Sequence, residues 1–202
     1  MSYLAITEAK VTPDYKDIAI ENIKRVKQVS LSNGANRVRL ALMTSGSNAG
    51  KLMFFQGFDA LSDAERVYDA FADDPIYAET MQSGKFEITR RAMLKIHIEV
   101  GEVLPSDNLK YLVLTNGTAE TPQLNAVTKF ADVLTANGAI TARYGTFFVG
   151  DQANGKTHLF GATYPSLSAM QGAYDAVADD GAASQLYKVV SVCRRQVLRL
   201  LD

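Results

Sequence analysis

Apolar and polar positions alternate along the first half of the chain in a way that predicts six elements. Short β-prone runs with period-two alternation indicate strands, and apolar residues three and four apart indicate helices. Asn33-Gly34 supplies a stop for the first helix, because glycine takes the left-handed conformation that ends helices. The predicted elements are strand 3–7, a helix from Thr12 to Asn33, strands 37–44 and 51–58, a helix opening at Ser62, and strand 89–100.

The same pattern occurs a second time. Residues 3–7 (Tyr-Leu-Ala-Ile-Thr) return as residues 111–115, and residues 68–74 return as residues 174–180. Shorter matches lie 104 to 109 residues apart, as small changes in loop length produce; they are Thr12-Pro13 with Thr121-Pro122, Asn33-Gly34 with Asn137-Gly138, Gly50-Lys51 with Gly155-Lys156, and Arg90-Arg91 with Arg194-Arg195. The chain is therefore a tandem duplication.

Each copy has the order β-α-β-β-α-β, which is that of a ferredoxin-like unit. Such a unit is an α+β structure with an antiparallel sheet and helices on one face only. We predict a first unit over residues 1–100, a linker over 101–109 that contains Pro105, and a second unit over 110–202.

The uncovered face of each sheet requires a partner, because a monomer rarely exposes so large an apolar surface. In its element order, and in Asp73-Asp74-Pro75-Ile76-Tyr77 after the second helix, the chain resembles the dimeric α/β barrel superfamily. The second copy departs from that pattern with Asp179-Asp180-Gly181-Ala182. The resemblance implies a single-chain pseudo-dimer whose two sheets enclose a cavity, and it leaves further homo-oligomerisation open.

Charge and composition remove several classes of function. The chain has 21 basic and 22 acidic residues and a net charge of −1, so no strong field attracts nucleic acid or an anionic membrane. No apolar run approaches the length of a membrane span, and residues 1–4 do not resemble a signal peptide, so we expect a cytoplasmic protein. The single Cys193 aligns with Thr89, which argues against a required thiol.

Residues 150–157 match the phosphate-loop pattern G-x-x-x-x-G-K-[ST] letter for letter. A phosphate loop leads from a strand into a helix, whose N-terminus binds the phosphates. Here the repeat aligns the following residues with the strand at 51–58, and the first copy lacks the pattern. We therefore interpret the segment as a hairpin turn.

Strand parity suggests which residues line a cavity between the sheets. The face with Leu4, Ile6, Leu94 and Ile96 is the more apolar, and we expect it to pack on the helices. The opposite face carries the residues expected to bind a ligand, which are Tyr3, Arg39 and Arg91 in the first unit and Tyr111, Arg143 and Arg195 in the second. Because guanidinium groups bind carboxylates, these arginines favour an anionic or carbonyl-bearing ligand. The alternative is that they pair with acids such as Glu99 and Glu87.

The two histidines interrupt the repeat, since His158 aligns with Met53 and His97 with Leu201. With His158 we place Phe160 toward the cavity. No catalytic residue is assigned, and His97 and His158 are the candidates for an acid, base or ligand role. No metal-binding spacing occurs, and no cofactor is expected. Some members of the superfamily bind haem through a histidine, so the resemblance makes haem an alternative.

Two functions remain open. The first is a small-molecule-binding protein of the dimeric α/β barrel type. The second is a cofactor-independent monooxygenase, isomerase or decarboxylase acting on an aromatic or polyketide-like compound, as the resemblance implies. Fold alone does not separate them.

Overall fold

The computed structural model describes residues 2–101 and 109–201 of the chain. Each half has the predicted order β-α-β-β-α-β, with one short helix added after the second long helix. The first unit contains β1 (Ser2–Val11), a 3-10 turn (Pro13–Tyr15), α1 (Lys16–Ser32), β2 (Arg37–Met43), β3 (Leu52–Phe58), α2 (Leu61–Ala72), α3 (Pro75–Gln82) and β4 (Phe86–Gly101). The second contains β5 (Tyr111–Thr118), α4 (Leu124–Ala136), β6 (Thr141–Val149), β7 (Thr157–Tyr164), α5 (Leu167–Asp180), α6 (Ala182–Tyr187) and β8 (Ser191–Leu200).

Local residues explain several helix ends. Gly34 and Gly138 have φ values of 123° and 122°, so the two Asn-Gly stops act as predicted. The predicted start of α2 at Ser62 is one residue late, because Asp63 accepts a hydrogen bond from the Ala60 amide. Short helix α3 exists because Asp74 caps the Tyr77 amide and Pro75 occupies the first helical position.

The strands of the two units form one closed antiparallel ring over the described residues. Their order around the ring is β1-β3-β2-β8-β5-β7-β6-β4, and β4 returns to β1. The two junctions between units are unequal: β4 pairs with β6 from Met93 to Gly101, whereas β2 pairs with β8 over three residues. The chain is thus a pseudo-dimer in which each unit covers the open sheet of the other.

Three apolar clusters follow from this arrangement. One lies inside the ring, and one lies under the helices of each unit. Val38 and Leu40 face the helices, but Leu4, Ile6, Leu94 and Ile96 point into the ring, so the predicted face of β1 and β4 is wrong. The physical reason is that both faces of each sheet are buried, and alternation then separates two apolar faces without showing which is inside.

The segment that resembles a phosphate loop is a hairpin turn, as the repeat indicated. Asn154 accepts hydrogen bonds from the amides of Lys156 and Thr157, and strand β7 follows directly. The Lys156 ammonium lies 2.6 Å from a carboxylate oxygen of Glu120.

The predicted linker lies largely outside the described residues, which omit 102–108. In the described part of the chain, no helix has the length and hydropathy of a membrane-spanning segment.

Candidate functional site

A cavity lies inside the ring, between the two sheets. It has a volume of about 160 Å³, and most of its wall is apolar. The apolar wall comes from both units and consists of Leu4, Phe55, Leu94, Ile96, Leu109, Leu112, Leu114, Leu159 and Leu200. At one end the wall becomes polar, with Arg37, Arg39, Asp59, Glu99 and Arg143. The cavity therefore combines an apolar body with a cationic end, where three arginines face two acids.

Strand register brings the arginines together. Arg37 and Arg39 lie two residues apart on β2, so they share the inner face. Arg143 lies opposite Glu99 in the pairing of β6 with β4. Glu99 reaches the inner face because a bulge between Ile96 and Ile98 shifts the alternation by one residue.

Glu99 links the arginines of the two units. Its Oε1 accepts hydrogen bonds from Arg37 Nη1 at 3.1 Å, from Arg143 Nε at 2.9 Å and from Arg143 Nη2 at 2.7 Å. The side chain of Glu99 is 38% exposed and each arginine side chain is 22% exposed, so water reaches this end. The sequence also allowed the alternative that the predicted arginines pair with acids such as Glu99. This alternative is correct for Arg143.

The other end of the ring is filled by a buried ion pair. Glu8 is 4% exposed, and its Oε1 accepts hydrogen bonds from Lys51 Nζ at 2.7 Å and Thr89 Oγ1 at 3.0 Å. The Arg90 guanidinium lies 5.0 Å from the Phe147 ring centroid, and Gln152 accepts its hydrogen bond. Burial alone would raise the pKa of Glu8, but Lys51 and Thr89 outweigh it and hold that pKa below its ordinary value.

The six predicted ligand-binding residues divide into two groups. Arg39 and Arg143 border the inner cavity, as the parity argument required. Tyr3 reaches the edge of that cavity but packs on the outer cluster of the first unit, because Leu4 takes the inner face of β1, so its predicted orientation is wrong. Tyr111 packs on the outer cluster of the second unit, so its predicted orientation is wrong.

Arg91 and Arg195 also face the helices and not the cavity. The Tyr77 hydroxyl accepts a hydrogen bond from Arg91 at 2.5 Å, and the Tyr187 hydroxyl accepts one from Arg195 at 2.7 Å. Arg195 also lies 4.8 Å from the Tyr174 ring centroid. The predicted orientation of both arginines was wrong because the more apolar face of β4 and β8 was expected to pack on the helices, whereas that face lines the inside of the ring.

This outer arrangement recurs in both units. Each arginine lies beside a small cavity between sheet and helices, of about 50 Å³ in the first unit and 30 Å³ in the second. Two further positions of the cavity wall or its border match across the repeat, and these are Thr7 with Thr115 and Tyr68 with Tyr174. Tyr187 binds Arg195 as Tyr77 binds Arg91, although Tyr77 aligns with Ala183.

The two histidines meet in the second unit, on the outer face of the sheet. His158 is 1% exposed, and it lines the outer cavity of the second unit together with Phe160, so the predicted placement of both residues toward the inner cavity is wrong. His97 lies at the surface. Thr146 Oγ1 lies 2.9 Å from His97 Nε2 and 3.1 Å from His158 Nδ1. His158 Nε2 lies 3.3 Å from the carbonyl oxygen of Ala119, and its ring stacks on Tyr144.

Chemistry sets the direction of these hydrogen bonds. The Ala119 carbonyl only accepts, so Nε2 of His158 carries the proton and Nδ1 accepts from the Thr146 hydroxyl. Thr146 then accepts from Nε2 of His97. Burial lowers the pKa of His158, while burial and the nearby Lys95 charge lower the pKa of His97. Both rings are therefore held neutral near pH 7.

These residues do not fit an axial ligand for haem. Both ring nitrogens of His158 are engaged, and the adjacent cavity of about 30 Å³ is far smaller than a haem. His97 uses Nε2 to contact Thr146 and is not part of the wall of these cavities. Within residues 2–101 and 109–201, no cluster of three or more His, Cys, Asp or Glu side chains is arranged to hold a metal ion.

Sequence reasoning missed Arg37 and Thr146. Arg37 has the same strand parity as Arg39, so the sequence contains a signal for its position. Its counterpart Thr141 is uncharged, however, and the prediction used only charges that recur in both copies. Thr146 carries no signal in the sequence, since its role depends on two strands that meet only in the fold.

A sequence family described as Domain of unknown function (DUF6854) matches residues 1–96 and again residues 109–200. The chain belongs to this family. Its two matches agree with the duplication read from the sequence. No curated protein sequence matches the chain significantly.

Solved structures similar to this DUF6854 chain share the dimeric α/β barrel fold, which confirms the predicted α+β fold class. A putative monooxygenase from Fusobacterium nucleatum has a TM-score of 0.77 at 12% identity, and the match covers 100% of this chain and 93% of that one. A chlorite dismutase variant from Candidatus Nitrospira defluvii has a TM-score of 0.60 at 11% identity, with coverages of 100% and 91%. A heme-binding protein from Thermus thermophilus has a TM-score of 0.62 at 7% identity, again with coverages of 100% and 91%. At these identities the likeness concerns the fold.

Proposed function

We propose that the chain binds a small organic carboxylate in the cavity between its sheets. The observation that carries the proposal is the convergence of Arg37, Arg39 and Arg143 at one end of an otherwise apolar cavity. Arginine binds carboxylate through paired, charge-assisted hydrogen bonds, which suits the anionic ligand expected from the sequence.

Size and shape narrow the ligand further. A cavity of about 160 Å³ lies below the roughly 300–1,000 Å³ that holds drug-sized ligands, so the ligand is a small acid. The apolar wall of leucine, isoleucine and phenylalanine favours an aliphatic or aromatic body with no further charge. Short fatty acids and benzoate-like acids satisfy both conditions.

Calorimetry with matched acids and amides tests this. Benzoate and hexanoate should bind, whereas benzamide and hexanamide should bind much more weakly because they lack the charge. Arg39→Met and Arg143→Met should each reduce benzoate affinity about tenfold, since each removes a charged hydrogen-bond donor. Arg199→Met is the matched control, because Arg199 lies on the outer face of the same ring.

The proposal is wrong if the folded wild-type chain binds neither acid, or if Arg199→Met weakens binding as much as the two cavity variants. Native mass spectrometry of the purified chain adds an unbiased measurement. A retained compound that carries a carboxyl group supports the proposal, and a retained cation contradicts it.

A second candidate is the cofactor-independent enzyme of the same superfamily. One observation favours it: the buried His158 has a hydrogen-bonded route through Thr146 to His97 at the surface, as proton transfer during catalysis requires. One fold neighbour is described as an anthrone oxidase-like protein, which names the substrate to try first. Oxygen uptake with an anthrone, abolished in His158→Asn, would favour this function over simple binding.

A further inference from the structure

The Glu99 carboxylate lies where the proposed ligand's carboxylate would be expected. Three hydrogen bonds from two guanidinium groups converge on its Oε1, two from Arg143 and one from Arg37. These arginines come from different units, so Glu99 connects β2 and β6 across the polar end of the cavity.

A guanidinium group that already binds one carboxylate has fewer donors left for a second. A ligand carboxylate would add another negative charge beside Glu99, and like charges in a partly buried site repel each other. The Glu99 side chain is 38% exposed, which leaves it room to turn into water when a ligand replaces it.

We propose that Glu99 is an internal competitor that the ligand carboxylate displaces, and that it sets both the affinity and the selectivity of the cavity. This inference rests on the proposed carboxylate-binding function. A ligand that offers only a weak acceptor cannot replace Glu99, so uncharged analogues are rejected more strongly than the apolar wall alone would reject them.

Among residues 2–101 and 109–201, this arrangement occurs once. Arg39 and Arg143 are counterparts in the repeat, but Arg37 corresponds to Thr141, whose hydroxyl contacts Thr163. The pair of arginines that holds Glu99 is therefore specific to one side of the pseudo-dimer.

The test compares two substitutions that change the charge equally. Glu99→Gln removes the competing carboxylate. Asp59→Asn removes a carboxylate from the same cavity wall that accepts a hydrogen bond from Asn36 and, in the part of the chain that the structure describes, forms no ion pair with an arginine. Benzoate affinity, measured by calorimetry, should rise about three- to tenfold in Glu99→Gln and less than about twofold in Asp59→Asn. Benzamide affinity should rise by a larger factor than benzoate affinity in Glu99→Gln, which narrows the preference for the acid that the wild type shows.

The outcomes separate this inference from the function on which it rests. If the wild type binds benzoate but Glu99→Gln binds it equally or more weakly, Glu99 is not a competitor, although the cavity still binds acids. An equal rise in Glu99→Gln and Asp59→Asn also overturns the inference, because net charge then explains the gain. If neither the wild type nor Glu99→Gln binds benzoate while both unfold at similar temperatures, the proposed function fails too.

Discussion

His97 and His158 share one hydroxyl group: the Oγ1 of Thr146 lies 2.9 Å from His97 Nε2 and 3.1 Å from His158 Nδ1. They are the two histidines of the chain, and they lie on different strands, β4 and β7. Thr146, on β6 between these strands, is what connects them. One ring is exposed and the other is almost completely buried, so a hydrogen-bonded path runs from the surface into the second unit.

This path makes stability depend on pH. The pKa of His158 in the folded protein is lowered by burial, so the unfolded chain takes up its proton first as the pH falls. The neutral His158 ring therefore makes its full contribution to the free energy of unfolding above its ordinary pKa near 6.5. This contribution is lost as the pH falls through the lower pKa of the folded protein. Urea unfolding at pH 7.5 and 5.5 should show a smaller loss of unfolding free energy for His158→Asn than for the wild type. His97→Asn should have a smaller effect on this loss, because the His97 ring is exposed. An equal loss of unfolding free energy in all three proteins would contradict the prediction.

Thr146 should matter through its hydroxyl group. Thr146→Val keeps the shape of the side chain but leaves Nδ1 of buried His158 without its donor, at a cost of about 1–3 kcal/mol. Thr146→Ser restores the hydroxyl and should recover most of that free energy. Chemical denaturation measures both variants, and nitrogen NMR of the imidazole rings checks the proton positions. A serine variant as unstable as the valine variant would contradict the prediction, because the restored hydroxyl group would then recover no stability.

The ion pair between Glu8 and Lys51 should contribute strongly to stability. Glu8→Gln leaves the Lys51 ammonium next to a neutral amide in a site where Glu8 is 4% exposed, so we expect a loss of about 3 kcal/mol. Glu21→Gln is the matched control, because Glu21 and Lys24 form an exposed pair on α1 whose loss should cost less than about 1 kcal/mol. Guanidinium chloride is unsuitable because its ions screen charges, so the measurement uses urea. Similar losses in both variants would refute the distinction.

The junction between β4 and β6 depends on the small size of Gly145. A Cβ atom there would lie 2.6 Å from the Lys95 carbonyl oxygen on the neighbouring strand, so the backbone must shift. We expect Gly145→Ala to destabilise the protein by about 1–3 kcal/mol. Gly172, in the middle of α5, has no close neighbour, and Gly172→Ala should stabilise the protein by about 0.5–1 kcal/mol. Thermal unfolding compares the two, and a neutral Gly145→Ala would mean that the junction adapts.

The sequence alone determined the duplication, the order of elements and the pairing of two ferredoxin-like units. These follow from periodicity and from turn residues such as Asn33-Gly34, which act over a few neighbours and are therefore readable locally. The period-two alternation along β2 could also be read from the sequence, and it correctly placed Arg39 at the cavity.

Only the tertiary structure decided which face of β1, β4 and β8 is inside. Alternation separates the two faces of a strand but does not show which face lies inside. The more apolar face lines the ring, so Arg91 and Arg195 were placed on the wrong side. The bulge in β4 then turns Ile98 outward and Glu99 inward, which alternation cannot predict. The contacts that matter most, Glu99 with Arg37 and Arg143 and the two histidines with Thr146, join strands far apart in sequence. They exist because the ring closes, and closure is a property of the whole chain.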